Sequence, residues 1–297
     1  MRILFITSNR VGDAVLSTGL LDHLLQRFPA ARFTIACGPV AAELFARMPR
    51  AERVIAFEKR RFGLHWLGLW GRCAGRFWDL VVDNRGSMLG FFLLHRRQAR
   101  LRRRRGPKIA EIGAILGLDP PPLPVVWTAP EDRAMAARLL PSGPPIIALG
   151  PTANWSGKIW PAERFAELFS ALSESLLPGA RAAVFAGPGA AERAMAAPLL
   201  ARLPGAIDLC GRLTLHEAAA CLGRAALYIG NDSGLMHLAA AAGTPTLGLF
   251  GPTQAAEYAP AGRVARAVVA SGPDMADLSV AAALRAATAL LAQAQAA

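Results

Sequence analysis

The feature of this 297-residue chain that most limits its fold is the alternation of short apolar runs with longer segments of helical periodicity. Apolar runs that predict buried strands in the first half lie at residues 2–8, 32–38, 53–57 and 79–84. The intervening segments can be helical, most clearly residues 14–28, where apolar side chains recur every three or four positions. Strands separated by helices form parallel sheets, so the sequence predicts an α/β fold.

Proline-rich stretches interrupt this alternation at residues 116–127 and 139–150, and they predict a domain boundary near residue 140. After the boundary the alternation restarts, with strands expected at residues 145–150, 180–187, 206–211, 226–230 and 245–251. Two doubly wound, Rossmann-like domains in tandem, residues 1–140 and 141–297, are the simplest interpretation. A final helix, at about residues 276–297, could pack back on the first domain.

The excess of positive charge lies in the first half of the chain. The net charge is +12, and residues 1–140 carry 23 Lys and Arg against 11 Asp and Glu, whereas residues 141–297 carry 10 of each. Such an excess of positive charge attracts polyanions, which include nucleic acid, anionic lipid and phosphorylated substrates. Residues 95–108 contribute eight of these cations, and their simplest interpretation is a solvated face. They contain no aromatic residue and no recognition motif, so sequence-specific nucleic-acid binding is not expected.

Hydropathy predicts a cytoplasmic protein, and cysteine spacing predicts structural thiols. The four cysteines include no C-x-x-C pair, which favours small buried thiols. The first apolar run is too short for a signal peptide, and no stretch reaches the roughly 18 strongly apolar residues of a membrane-spanning helix.

Three loops that follow predicted strands can carry chemistry, because ligands of parallel α/β sheets bind beyond the carboxyl ends of the strands. The first loop is residues 7–15, where Gly12 would permit a tight turn and Asp13 stands at the start of a helix. Asp13 can be a simple N-cap. Its carboxylate can also accept a proton from a sugar hydroxyl as a general base.

The second loop, residues 150–161, contains Lys158 before a Trp-Pro helix start. The glycine spacing differs from that of a P-loop. Lys158 is therefore interpreted either as a solvated side chain or as a cation that neutralises phosphate.

The third loop, residues 230–240, places polar side chains at the start of an alanine-rich segment where packing alone would not select them. At a helix N-terminus, the amides of Ser233 and Gly234 can face a diphosphate while Asp232 accepts from ligand hydroxyls. His237 follows about one helical turn later, and we interpret it as a hydrogen-bonded support.

Together, residues 9–24, 157–168 and 230–253 resemble the ADP-heptose lipopolysaccharide heptosyltransferases of glycosyltransferase family 9, in the family's order. The resemblance implies a GT-B architecture, in which two Rossmann-like domains face a cleft and bind the acceptor on the first and the nucleotide sugar on the second. It also implies inverting transfer with no cofactor and no bound metal. The chain contains no Asp-x-Asp motif, which is consistent with that expectation.

The resemblance assigns roles residue by residue. Asp13 matches the family's proposed base, Lys158 its phosphate-side lysine, Asp232 its sugar-contacting acid, and Ser233 with Gly234 its diphosphate-binding turn.

The nucleotide end of the donor site is less well defined. Leu213 falls near the adenine side, but the family's ribose-binding acid aligns near Ala190, so Glu192 is the candidate substitute and the nucleotide preference stays open. Gly187 and Gly189 resemble the start of a dinucleotide-binding motif whose third glycine is replaced by Glu192, so dinucleotide binding is not expected.

The acceptor of the family is the inner core of lipopolysaccharide, a phosphorylated, carboxylate-rich glycolipid that fits the cationic first half. Residues expected on the acceptor side, all from that half, are Arg10, Gly12, Arg60, Arg61, Arg97 and Arg100. A glycolipid acceptor also predicts peripheral association with the cytoplasmic face of the inner membrane. The oligomeric state stays open.

The expected activity is therefore inverting transfer of heptose from ADP-heptose to the lipopolysaccharide inner core. One alternative within the family is a different nucleotide sugar or acceptor. A second alternative is a non-catalytic module that binds anionic glycolipid or nucleic acid through residues 96–108.

Overall fold

The computed structural model describes residues 1–59, 61–102 and 105–296, and it divides into two compact units, Met1–Trp127 and Thr128–Ala297. Arg60 and residues 103 and 104, which belong to the predicted acceptor side and the basic stretch, lie outside the described residues. Each unit is built on a parallel sheet with helices between its strands, so the predicted α/β class is confirmed.

The first unit holds, among its described residues, a sheet with the strand order β3-β2-β1-β4-β5 and parallel pairing throughout. The strands are β1 (Arg2–Ile6), β2 (Arg32–Cys37), β3 (Ala51–Ala56), β4 (Trp78–Asp83) and β5 (His95–Arg100). The helices are α1 (Val11–Leu16), α2 (Thr18–Arg27), α3 (Pro39–Ala42), α4 (Leu64–Cys73) and α5 (Lys108–Gly113). The four strands predicted in this half are confirmed.

The helix predicted over residues 14–28 is divided into α1 and α2 at Ser17. The Ser17 hydroxyl donates to the Ala14 carbonyl, and the Thr18 hydroxyl donates to the Val15 carbonyl, both at 2.7 Å. Hydroxyls that bond carbonyls of the preceding turn compete with the helical backbone bonds and bend or interrupt a helix. The segment that carries Asp13 is therefore a short helix of its own.

The basic stretch is not simply a solvated face, because its first six residues form β5 at the edge of the sheet. Arg100 of β5 pairs in register with Asp83 of β4. An edge strand pairs on one side only and tolerates charged side chains, which also discourage further strand addition. The stretch lacks the apolar pattern of a strand, so periodicity did not predict this element.

The second unit has, in its described part, the sheet order β11-β10-β9-β6-β7-β8, again with parallel pairs. Its strands are β6 (Ile146–Gly150), β7 (Arg181–Val184), β8 (Ile207–Asp208), β9 (Leu227–Asn231), β10 (Thr246–Phe250) and β11 (Ala265–Val269). Its helices are α6 (Pro130–Leu139), α7 (Ala162–Glu174), α8 (Ala190–Arg202), α9 (Leu215–Leu222), α10 (Gly234–Ala241), α11 (Ala255–Tyr258) and α12 (Val280–Ala296).

The unit boundary lies after Trp127, earlier than the position near residue 140 that the prolines suggest. Pro130 stands at the first position of α6, where proline suits a helix start. This helix packs on α9, and the Arg224 guanidinium donates to the Leu140 carbonyl at 2.7 Å, so α6 belongs to the second unit. The final helix α12 packs against α7, β10 and β11 of the same unit.

The cores of both units lie between their sheets and helices. Fully buried aromatic side chains include Phe5 and Trp78 in the first unit and Trp160 and Tyr228 in the second. All four cysteines are buried and unpaired, and burial raises the pKa of each thiol, which confirms their predicted structural role. No helix in the described ranges is long and apolar enough to cross a membrane.

Candidate functional site

Each sheet reverses its winding direction between two neighbouring central strands. In the first unit these are β1 and β4, where Ile6 pairs with Asp83, and in the second they are β6 and β9, where Gly150 pairs with Gly230. Doubly wound sheets bind ligands beyond the carboxyl ends of strands at this switch point. Asp13 follows β1, Lys158 follows β6 and Asp232 follows β9, so the predicted site residues lie at the two switch points.

Asp13 is the third residue of α1, and its carboxylate is half-buried. The Ser8 hydroxyl donates to Asp13 Oδ2 at 3.2 Å and itself accepts from the Arg10 amide at 3.2 Å. Arg10 is the N-cap of α1, so the interpretation of Asp13 as a simple N-cap is wrong. The expected tight turn at Gly12 is also wrong, because Gly12 is a helical residue of α1.

A buried acid that the sequence analysis did not single out lies at the end of β4. Asp83 accepts from the Arg85 amide at 2.8 Å and from the Ser87 hydroxyl at 2.6 Å. Burial raises the pKa of the Asp83 carboxyl, and these hydrogen bonds oppose the rise. The run Asp-Asn-Arg-Gly-Ser directly after an apolar strand is the signal that could have identified this loop.

Arg85 joins the end of β4 to the loop that carries Asp13. Its Nη1 donates to Asn9 Oδ1 at 3.0 Å, and its guanidinium lies 5.0 Å from the ring centre of Trp66 and 5.4 Å from that of Phe57. A planar guanidinium held by stacking and a hydrogen bond has little freedom to move. Arg85 therefore holds the Asn9 side chain in the loop that precedes Asp13.

The predicted acceptor-side arginines are spread over the first unit. Arg100 ends β5, donates to the Ser87 carbonyl at 3.4 Å and stacks on Phe91, so it reaches the Asp83 loop. Arg10, Arg61 and Arg97 are exposed, before α1, after β3 and on β5 respectively.

In the second unit, Lys158 and Asp232 contact each other directly. Lys158 Nζ donates to Asp232 Oδ2 at 2.7 Å, and the two side chains are 15% and 9% exposed. Partly buried charges are stable when paired, because each compensates the desolvation of the other. An ammonium group has three donors and Asp232 takes one, so Lys158 can bind an anion while it holds the carboxylate.

Asn231 holds this ion pair in place. From the buried end of β9, its side-chain amide donates to the Pro151 carbonyl at 2.8 Å and accepts from the Trp160 amide at 3.1 Å. The Trp160 indole in turn donates to the Leu278 carbonyl at 2.9 Å. The loop of residues 151–160 is thereby tied to the β9–α10 turn. Asn231 belongs to the polar run at residues 230–240, but local sequence does not predict this positioning role.

The β9–α10 turn places backbone amides at a helix N-terminus. Ser233 is the N-cap of α10 in an extended conformation, and Gly234 is the first helical residue. Amides of a first helical turn have no acceptor within their helix, and the helix dipole adds positive potential there. His237 is buried one turn along α10.

Two glycines beside this turn make room for the buried Tyr228 side chain. A Cβ atom on Gly150 would lie 2.0 Å from the Tyr228 hydroxyl oxygen, and one on Gly230 would lie 2.3 Å from it. Both distances are far below contact distance, so neither strand end tolerates a larger residue without rearrangement.

The two residues expected at the nucleotide end follow the neighbouring strands β7 and β8. Glu192 is in the first turn of α8, and its Oε2 accepts from the Gly187 amide at 3.1 Å. Leu213 is half-buried in the segment that leads into α9. Asp208 follows Gly187 by about twenty residues, where a dinucleotide-binding motif has its acid, and it pairs with Arg193 at 2.9 Å and Arg212 at 3.3 Å.

Comparison with known proteins identifies the family. The sequence model of glycosyltransferase family 9 (heptosyltransferase) matches residues 110–287. The chain belongs to glycosyltransferase family 9. As a member of that family it is a glycosyltransferase, and the resemblance based on the three loops is confirmed.

A curated relative extends the similarity to 85% of the chain, and two solved structures share the fold over nearly its whole length. The chain is similar to lipopolysaccharide heptosyltransferase 1 of Pseudomonas aeruginosa, with 30% identity over 85% of this chain and 79% of that protein. The structure of Escherichia coli ADP-heptose lipopolysaccharide heptosyltransferase II superposes with a TM-score of 0.78 at 21% identity, covering 99% of this chain and 100% of that one. Escherichia coli heptosyltransferase WaaC with ADP gives a TM-score of 0.76 at 17% identity, over 98% and 100% of the two chains. The expected GT-B fold class is thus confirmed.

Within the residues that the structure describes, no group of three or more His, Cys, Asp or Glu side chains is arranged to hold a metal ion.

Proposed function

We propose that this family 9 glycosyltransferase moves a heptose from ADP-heptose to the inner core of lipopolysaccharide. The observation that carries the proposal is the Lys158–Asp232 pair next to the N-terminus of α10, at the switch point of the second sheet. This arrangement offers a cation, a carboxylate and backbone amides to a sugar diphosphate. The names of the relatives, lipopolysaccharide heptosyltransferases, support the choice of donor and acceptor.

In the proposed donor complex, the amides of Ser233 and Gly234 and the ammonium of Lys158 bind the diphosphate. Asp232 accepts hydrogen bonds from heptose hydroxyls while Lys158 compensates its charge. Because negative charge grows on the diphosphate as its bond to the sugar breaks, donors already held in place stabilise the transition state more than the ground state. His237 supports α10 from within.

At the nucleotide end, we assign the ribose hydroxyls to Glu192 and one face of adenine to Leu213. Glu192 already accepts one backbone hydrogen bond from Gly187. A carboxylate has about four acceptor positions, so Glu192 retains capacity for a ribose hydroxyl.

On the acceptor side, we assign Asp13 as the general base, oriented by Ser8. Asp13 takes the proton of the attacking hydroxyl as the oxygen of that hydroxyl bonds to the anomeric carbon of heptose. The bond from that carbon to the diphosphate oxygen breaks on the opposite face, so the anomeric centre inverts and ADP leaves. No step requires a metal ion, and transfer is expected to persist in excess EDTA.

The charge of the first unit supports an anionic acceptor. Residues 1–127 hold 21 Lys and Arg against 9 Asp and Glu, a net +12. We assign acceptor phosphates and carboxylates to Arg10 before α1, to Arg61 after β3, to Arg97 and Arg100 on β5, and to Arg60. Since the acceptor is a glycolipid, we expect the protein to work at the cytoplasmic surface of the inner membrane.

A thermal-shift and transfer assay with a panel of nucleotide sugars tests the donor. At about 100 times its Kd, a true ligand of the folded state adds about 2.7 kcal/mol to the free energy of unfolding. ADP-heptose and ADP are expected to raise the Tm by about 5 to 10 °C, and UDP and GDP sugars are not. Transfer to truncated core acceptors completes the test. A response to another nucleotide sugar, but not to ADP-heptose, would contradict the assignment within the family.

Arg85→Lys and Arg85→Gln test whether Arg85 positions the Asp13 loop. Neither side chain reproduces the stacked guanidinium that donates to Asn9. Misplacement of a reacting group by about 1 Å can cost about 100-fold, so kcat is expected to fall by about 10- to 100-fold in both variants. The affinity for ADP and the Tm should stay close to those of the wild type. The same is expected of the control variant Arg76→Gln, because Arg76 pairs with Glu52 at the surface of the same unit. Equal loss of kcat and Tm would indicate a purely structural role.

A further inference from the structure

Helix α4 presents an apolar outer face to solvent. It buries His65, Leu69 and Cys73, yet Leu64 and Leu67 on the opposite side are 55% and 64% exposed. Its sequence contains no acidic residue, and Arg72 is its single formally charged side chain. A surface helix of a water-exposed domain normally carries polar residues on this side. The outer face of α4 is therefore suited to a less polar environment than water.

A second exposed apolar segment lies against α4. The 3-10 turn Leu89–Phe92 and its flanks expose Phe91, Phe92 and Leu94 by 58% to 68%. The Trp70 indole of α4 donates to the Phe92 carbonyl at 2.8 Å, which fixes the two segments side by side. We call these residues, with Phe62 before α4, the apolar patch: Phe62, Leu64, Leu67, Trp70, Phe91, Phe92 and Leu94. Single exposed apolar residues are ordinary, whereas a contiguous cluster of this size marks an interaction surface.

Arginines border the apolar patch. Arg61 lies over the Phe62 ring at 4.9 Å, and Arg100 lies over the Phe91 ring at 5.3 Å. Arg96 and Arg97 follow Leu94 and His95 and are exposed. Residues 61–102 contain eight arginines and two acids, one of which, Asp83, is fully buried. The border of the patch is therefore strongly cationic.

We propose that the apolar patch and its arginines dock the first unit onto anionic phospholipid, with the patch side chains at the boundary between headgroups and acyl chains. Aromatic and leucine side chains with a basic border are the composition of surfaces that lie in this interface. Guanidinium groups bind lipid phosphates, and each cation near an anionic leaflet adds attraction. A second copy of this chain would bring the same cationic border against the first, so charge favours the lipid.

The docking surface is connected to the proposed catalytic loop inside the first unit. Trp66 on α4 lies beneath the Arg85 guanidinium, and Arg85 donates to Asn9 in the loop that precedes Asp13. A leaflet bound along α4 would thus lie next to the part of the unit that we assign to the acceptor. The proposal rests on the proposed function for the identity of that lipid-borne acceptor, whereas the docking itself depends on the surface alone.

Co-sedimentation with vesicles tests the proposal. The wild-type chain is expected to bind phosphatidylcholine vesicles that contain about 30% phosphatidylglycerol, to bind pure phosphatidylcholine at least tenfold more weakly, and to lose affinity as salt rises. Arg96→Gln/Arg97→Gln should weaken binding by about 10- to 30-fold, since each cation contributes about a factor of five. Leu67→Gln/Phe92→Gln should weaken it by tenfold or more, because two apolar side chains no longer insert.

Two matched control variants carry their substitutions in the second unit. Leu176→Gln/Val269→Gln removes two exposed apolar side chains, and Arg138→Gln/Arg181→Gln removes two exposed arginines. Both controls should bind vesicles like the wild type. For every variant, a far-UV circular dichroism spectrum and a Tm close to those of the wild type report that the chain is folded. Equal binding to neutral vesicles, or unchanged binding by either patch variant, would overturn the proposal.

Two further results separate this proposal from the proposed function. Normal transfer by Leu67→Gln/Phe92→Gln to a deacylated, water-soluble acceptor, but slow transfer to an acceptor embedded in vesicles, supports docking. Vesicle binding without any heptose transfer would reject the proposed function and retain docking. Loss of self-association in the patch variants, with no vesicle binding by the wild type, would assign the patch to a second copy instead.

Discussion

Asp13→Asn is expected to lower kcat by about 10²- to 10⁴-fold, the range that a general base contributes. Asparagine keeps the size of the side chain and can still contact Ser8, but it cannot take the proton of the acceptor hydroxyl. The Kd for ADP should not change, because Asp13 belongs to the first unit and the donor residues to the second. Turnover with ADP-heptose and a truncated core acceptor, together with calorimetry for ADP, measures both quantities.

Asp22→Asn is the matched control for this experiment. Asp22 is a half-buried acid on the next helix, α2, and it accepts from the Gln26 side chain at 2.6 Å. Its substitution removes one negative charge from the same region without changing the residue assigned to the proton, so kcat should remain near the wild-type value. Full activity of Asp13→Asn would reject the base assignment, and equal losses in both variants would attribute the effect to charge alone.

Lys158→Met is expected to weaken ADP binding by about 100-fold, through loss of a charge-assisted contact to the diphosphate. It should also lower the free energy of unfolding by about 3 kcal/mol, because Asp232 is left as a nearly buried, uncompensated charge. Asp232→Asn should slow sugar transfer. The double variant Lys158→Met/Asp232→Asn should recover most of the stability but not the ADP affinity. Urea unfolding and calorimetry measure the two effects separately.

The ion pair Lys108–Glu111 provides the control for these single and double variants. It is a similarly buried pair in the first unit, where its side chains are 19% and 8% exposed. Lys108→Met should lower stability without changing the Kd for ADP. If the double variant at Lys158 and Asp232 regained ADP affinity together with stability, the lysine would be a structural partner of Asp232 and not a ligand of the diphosphate.

Local sequence patterns predicted much of the fold correctly, and they failed where the tertiary environment reversed a local preference. The buried parallel strands are continuous apolar runs, so β1, β4, β6, β9 and their neighbours were recognisable. The edge strand β5 was not, because an edge position accepts the arginines that local propensity counts against a strand. Helix α6 was assigned to the wrong side of the boundary, because its packing on α9 is invisible to the proline pattern.

The positions of Asp13, Lys158, Asp232, Ser233 and Gly234 at strand ends were also predictable, because functional residues of such sheets follow the carboxyl ends of strands. Their partners were not. Lys158 and Asp232 are 74 residues apart in the chain, and Arg85 and Asn9 are 76 apart. These contacts depend on which strands become neighbours at the switch points.

The amino-acid sequence by itself determined the parallel α/β class, the family and the loops that we propose carry the chemistry, because apolar periodicity and short motifs are local properties of the chain. Only the tertiary structure decided that β9 lies beside β6 and β4 beside β1. That order pairs Lys158 with Asp232, connects Arg85 to the Asp13 loop and brings α4 against the exposed turn at Leu89–Phe92. The physical reason is that a desolvated charge needs a partner, and these partners come from segments far apart in the chain. Which distant segments pack together is not encoded in any local pattern.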